Sequence, residues 1–157
     1  MSDPNDVTLT PAQLHAHWQG HRGLTRKVIE AFPEEALFNH SVGGMRPFAT
    51  LTMEFLRMSV PTLRGMVTRA WESSEVPQAT TKAELLAAWD RDTEEIEQLW
   101  PRIPVGRFQE RDTAFGQWEG PVYGTFLYIV DNEIHHRGQG YVYLRSLGIE
   151  PPAFWER

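Results

Sequence analysis

The residues able to do chemistry concentrate in one segment, Asp131-Asn132-Glu133-Ile134-His135-His136-Arg137-Gly138-Gln139. On a helix, residues three and four apart share a face. Asn132 and His136 therefore stand one turn apart, the spacing at which two side chains meet one ion. The same broad stripe carries Phe126, Ile129, Glu133, Gly140 and Tyr143, and its apolar members turn it toward a core. His135 points roughly 100° away, toward Tyr128 and Asp131. A second position answers this one. Glu54 lies three residues after Leu51 and four before Met58, on or beside another apolar stripe. An ionised carboxylate facing a core is costly unless it is paired, coordinated to metal or wet. A buried Glu and a buried His on neighbouring helices can share an ion or a proton.

Other arrangements are weaker. An isolated Asn-x-x-x-His pair is more often structural than functional, since His is commonly half-buried. Glu133-x-x-His136 matches the inward Glu-x-x-His of di-iron bundles, but those need two copies and further glutamates. The second predicted helix offers only Glu54-x-x-Arg57 and the third has no histidine, which excludes that reading. His17 and His21, with His15 nearby, are spaced for a metal. Gly20 and Gly23 interrupt them, and a solvated polar face is the simpler account. Asp92, Glu94, Glu95 and Glu97 read as a charged outer face. Ser41 beside His40 supports no triad, and there is no phosphate-cradling or dinucleotide glycine motif.

Composition narrows the chemistry further. The 157 residues contain no cysteine, so disulfides, thiolate nucleophiles and sulfur-ligated zinc are excluded. Any metal must be held by His, Asp, Glu, Asn or water. The net charge is −6 and the 15 Lys and Arg are scattered, which argues against nucleic acid as a partner. No run approaches the ~18 apolar residues of a membrane span. The polar opening MSDPNDVTLT lacks the features of a signal peptide, so a cytoplasmic location is expected.

The elements that must position these residues are all helical in pattern. Thr10-Pro11-Ala12-Gln13 forms a capping box opening a helix through Leu14, Trp18, Leu24, Val28, Ile29 and Phe32, closed by Pro33. Residues 33–46 connect it to a second helix opening at Pro47, with Phe48, Leu51, Phe55, Met58 and Thr62 on one face and a kink expected at Pro61. Ser73 to Thr80 reads as a loop. Thr81-Lys82-Ala83-Glu84 is a second capping box, with Leu85, Leu86, Trp89, Ile96, Leu99 and Trp100 as the buried stripe. Residues 105–119 lack a helical period and read as a loop or short hairpin. Gly120-Pro121 starts the last helix, which Gly148 ends near Leu147. The fold class expected is all-α: a single domain over residues 1–157, a four-helix bundle with long connections and a possible short hairpin between helices three and four.

The stretch HHRGQGYVYLRSLGIEPP, residues 135–152, resembles the C-terminal motif of the DinB/YfiT-like superfamily. Trp18 in the first helix, the connection Phe32-Pro33-Glu34-Glu35 and the run Gly44-Met45-Arg46-Pro47-Phe48 agree in order, so the likeness spans most of the chain. It implies a four-helix bundle, often dimeric, holding a divalent metal such as zinc or nickel through three histidines. One of these comes from helix two and two from a His-x-x-x-His pair on the last helix. Relatives of known activity include thiol-dependent S-transferases and isomerases that use low-molecular-weight thiols.

Carried onto this chain, the second histidine of that pair is His136. The first falls at Asn132 and the helix-two histidine at Glu54, to within a turn. Two readings follow. In one, Glu54, Asn132 and His136 hold a harder ion such as Mg, Mn or Ca, with Zn and Ni open through the single imidazole. The protein is then a metal-dependent enzyme, a thiol S-transferase acting on a small-molecule substrate with a thiol cosubstrate. In the other, the metal is lost, Glu54 and His136 form a hydrogen-bonded pair, and the bundle is a non-catalytic stress-response or ligand-binding protein. A homodimer is expected, with Val130, Ile134 and Tyr141 as a second apolar strip that either an interface or a neighbouring helix can cover.

Overall fold

A computed structural model describes residues 7–75 and 78–157. Five α-helices, α1 (Pro11–Ala31), α2 (Glu34–Asn39), α3 (Phe48–Thr68), α4 (Lys82–Leu99) and α5 (Val122–Ser146), are joined by a small, largely exposed hairpin, β1 (Arg111–Ala114) and β2 (Trp118–Pro121), between α4 and α5. The four long helices form a closed ring in which α3 packs on α4 and α5, and α1 packs on the same two. Their apolar stripes meet in two clusters. One is built on Phe32, Phe48, Leu51, Phe55 and Trp89, the other on Trp18, Leu63, Ile96, Trp100 and Phe126.

The helix boundaries follow from local chemistry. Both expected capping boxes are formed: Thr10 and Thr81 accept from the backbone N–H of Gln13 and Glu84, whose side chains reach back. Pro61 sits inside α3 without ending it, and Gly148 at φ +74 turns the chain out of α5. The connection after Pro33 differs from expectation, because Glu34 and Glu35 open the short helix α2, where their charges favour its N-terminus. Among the described residues no helix is long and apolar enough to cross a membrane.

The hairpin expected between helices three and four is present, with Arg111 paired to Pro121 and Ala114 to Trp118. It is fastened to the end of α3 by Arg107, whose side chain is 1% exposed. Arg107 donates to the carbonyls of Met66 and Gly65 at 3.1 and 3.3 Å and to Asp112 Oδ2 at 2.5 Å. A cation on the last carbonyls of a helix complements their partial negative charge, here beside the Arg69 N–H that Gly65 already accepts. Trp71 Nε1 adds a bond to the same Asp112 oxygen at 3.0 Å. The C-terminal tail returns along α1, and Arg157 Cβ comes so near Gly20 that an added methyl there would stand 3.2 Å away.

Candidate functional site

Glu54 from α3 and Asn132 and His136 from α5 converge as their spacing suggested. Asn132 Nδ2 donates to Glu54 Oε1 at 3.2 Å, and His136 Nε2 lies 3.4 Å from the same oxygen. Arg46, from the loop before α3, binds the other oxygen, Oε2. Burial acts to raise the Glu54 carboxyl, but the hydrogen bonds from Arg46 and Asn132 and the nearby positive charge outweigh it and hold the group below its ordinary range. Tyr143 fixes the approach of Arg46 by donating to its carbonyl at 2.9 Å. The His136 ring stacks on Phe55 with centroids 6.2 Å apart. Glu54 and His136 keep 25% and 14% of their side chains exposed, so the cluster is half-buried rather than sealed.

These residues do not fit the three-imidazole metal centre that the resemblance implies. They offer one ring nitrogen, and the single carboxylate already carries a guanidinium. Asn132 turns its N–H₂ toward Glu54 and leaves Oδ1 buried without a partner among the described residues. Rotating the amide would set two oxygens against each other, so the hydrogen-bond network favours the orientation described. His136 Nδ1 is also buried without a partner among the described residues. A ligating histidine ordinarily donates that N–H to an acceptor that orients it. Nowhere among the described residues do three His, Asp or Glu side chains gather closely enough to hold a metal.

A second polar cluster was not expected. Glu133, on the same stripe as His136, is only 2% exposed. It accepts from Thr25 Oγ1 at 2.6 Å and Trp18 Nε1 at 3.3 Å, and burial pushes its carboxyl upward. Arg137 donates to the carbonyl of His21 at 3.0 Å and approaches His21 Nδ1 at 2.9 Å. His21 is 5% exposed, not part of a solvated face. Burial, aided by the charges of Arg137 and Arg157, lowers its pKa to about 4. Asp92 also departs from the expected outer face. Its side chain is 9% exposed, lies 3.0 Å from Arg22 and accepts from Ser59, and burial raises its pKa to about 6. The signal available in the sequence was Trp18 and Thr25 two turns apart on one helical face, together with a Glu133 placed on an apolar stripe.

His17 and His21 do bring their Nε2 atoms within 3.2 Å. A metal on His21 Nε2 requires a proton on Nδ1, yet Arg137 can only donate toward that nitrogen. Arg157 Nη1 occupies the other side, 2.8 Å from Nε2. The pair is therefore a structural contact in this fold.

One turn from Glu54 and Asn132, a groove of about 650 Å³ opens between α3, α5 and the hairpin. Arg57 and Met58 line it from α3, Tyr128 and Ile129 from α5, and Phe115 and Trp118 from the hairpin. Three residues along a helix advance about 4.5 Å, so the polar cluster adjoins one end of this groove.

The backbone resembles two crystal structures of DinB-like proteins. One, from Bacillus subtilis, is 16% identical, with a TM-score of 0.74 over 92% of this chain and 99% of that one. The other, from Bacillus cereus, is 15% identical, with a TM-score of 0.73 over 90% of this chain and 95% of that one. No match is found among curated proteins. At this identity the likeness concerns the fold. The DinB family model, however, matches residues 1–157, and the chain belongs to the DinB family.

Proposed function

We propose that this chain is a small-molecule-binding member of the family that works without a metal. Arg46, Glu54, Asn132 and His136 form a hydrogen-bonded polar cluster where the resemblance sets a three-histidine centre. The observation carrying this reading is the guanidinium of Arg46 on Glu54. The one carboxylate available to a cation already has one, and Asn132 turns a donor toward the same group. The adjoining groove is of the size that holds a small organic molecule. Protein purified without a histidine tag is expected to contain less than ~0.1 equivalent of any divalent ion by plasma mass spectrometry, with no thermal shift on adding zinc, nickel, manganese or magnesium. A stoichiometric ion that disappears in Glu54→Gln would overturn it.

A second reading keeps a divalent ion at Glu54, Asn132 and His136 and makes the protein a metal-dependent thiol S-transferase that uses a low-molecular-weight thiol. One observation favours it. Side-chain atoms 3.2 and 3.4 Å apart around Glu54 Oε1 have the spacing of neighbours in a metal's coordination shell. The same measurement decides between the two.

A further inference from the structure

Arg57 is exposed on α3 at the groove's edge and makes no hydrogen bond or ion pair with any described side chain. Its neighbour two turns on, Arg64, is held by Glu95. The groove's one carboxylate, Glu119, is turned to Arg111 at 3.4 Å. Arg57 is thus an uncompensated cation in a cavity whose remaining walls are largely apolar.

Those walls present aromatic surface to solvent. Trp118 is 60% and Tyr128 62% exposed, and both border the groove. Exposed rings of this size gathered around one concavity mark a binding surface rather than scattered surface apolarity. Phe115 stands between Trp71 and Trp118, with centroids at 5.5 and 6.1 Å. It holds φ at +53, a backbone conformation unfavourable for a bulky residue.

We propose that the groove takes an organic monocarboxylate with a flat apolar body. The carboxylate meets the planar fork of Arg57, which matches it with two parallel hydrogen bonds. The body lies over Met58 and Ile129 and against Trp118 and Tyr128. One unpaired cation among the groove's described residues, in a protein of net charge −6, matches a single negative charge better than a dianion. The inference rests on the groove being a small-molecule site and is independent of whether the adjoining cluster holds a metal.

The test uses 2-naphthoate and its uncharged counterpart 2-naphthamide, titrated calorimetrically into the full chain. Naphthoate is expected to bind about tenfold more tightly than the amide, the preference one charge-assisted fork supplies. Arg57→Gln should abolish that preference, weakening naphthoate far more than the amide, with the melting temperature unchanged. Trp118→Ala should weaken both probes by about fivefold through lost ring contact. Equal affinity of the wild type for acid and amide would overturn the anionic ligand class while leaving the groove intact. Failure of both probes to bind, or Trp118→Ala leaving both unchanged, would overturn the groove as their site. None of these outcomes depends on metal content, so they stay separate from the assay above.

Discussion

His21 lies between two guanidiniums and His17, and its burial among them makes protonation of the folded chain unfavourable. Its pKa falls to about 4 in the fold against about 6.5 in an unfolded chain. Between those values the unfolded state binds the extra proton, so this contribution to stability is complete above pH 6.5 and is lost as pH falls toward 4. Asp92, raised to about 6, acts in the opposite direction and masks the effect in the wild type alone. Comparing wild type with His21→Gln cancels Asp92, which both proteins share. Urea denaturation should show the wild type losing up to about 3 kcal/mol more than the variant between pH 7 and 4. Parallel profiles would show that His21 titrates normally. At this scale helical spacing put Asn132 and His136 on one face and Glu54 on the stripe of another helix, and the three side chains do meet. It could not mark Arg46, whose long side chain reaches Glu54 from a loop with no period. Nor did it mark Arg137 as His21's partner, since that contact crosses two helices.

The contrast between two glycines of α5 tests how the helices pack. A Cβ at Gly140 would meet the Phe48 ring at 2.6 Å, and that ring is fully buried and stacked on Phe32 at 5.1 Å. A Cβ at Gly138 would meet nothing within 4 Å. Gly140→Ala should therefore destabilise by about 1–3 kcal/mol through overpacking, despite alanine's better helix propensity. Gly138→Ala should stabilise by up to about 1 kcal/mol. Thermal melts of the two variants check this, and a stable Gly140→Ala would mean that α3 and α5 approach less closely. The long helices and both capping boxes were legible because their signals are local. The brief helix α2 was not, since six residues are too few to display a period. The hairpin was visible only as a break in helical periodicity. Its register depends on pairing and on Phe115 and Gly116 at positive φ, which composition does not encode.

Across the whole molecule, the expectation of a homodimer meets a changed surface. Val130 is buried within the chain, and Ile134 and Tyr141 pack partly against the core, so a neighbouring helix accounts for much of that strip. Among the apolar side chains that α5 leaves outward, beside Tyr128 and Val142, are Tyr123 and Leu127, 40% and 39% exposed and one turn apart. A second copy packing across this face would cover both. Sedimentation of the wild type should then show a dimer that Leu127→Glu dissociates, and a wild-type monomer at high concentration would remove the idea. Fold class and ring of helices were thus open to reading from pattern, whereas the groove was not. It is made by a hairpin and two helices distant in sequence, and no stretch of chain announces it. The clasp of Arg107 on the last carbonyls of α3 gives that groove a particular character. Because the hairpin wall is anchored to the same helix that supplies Arg57 and Met58, both sides shift together, like a jaw cast in one piece with its mount. Its width is then inherited from the bundle, and a guest of the kind proposed above would be sorted by thickness.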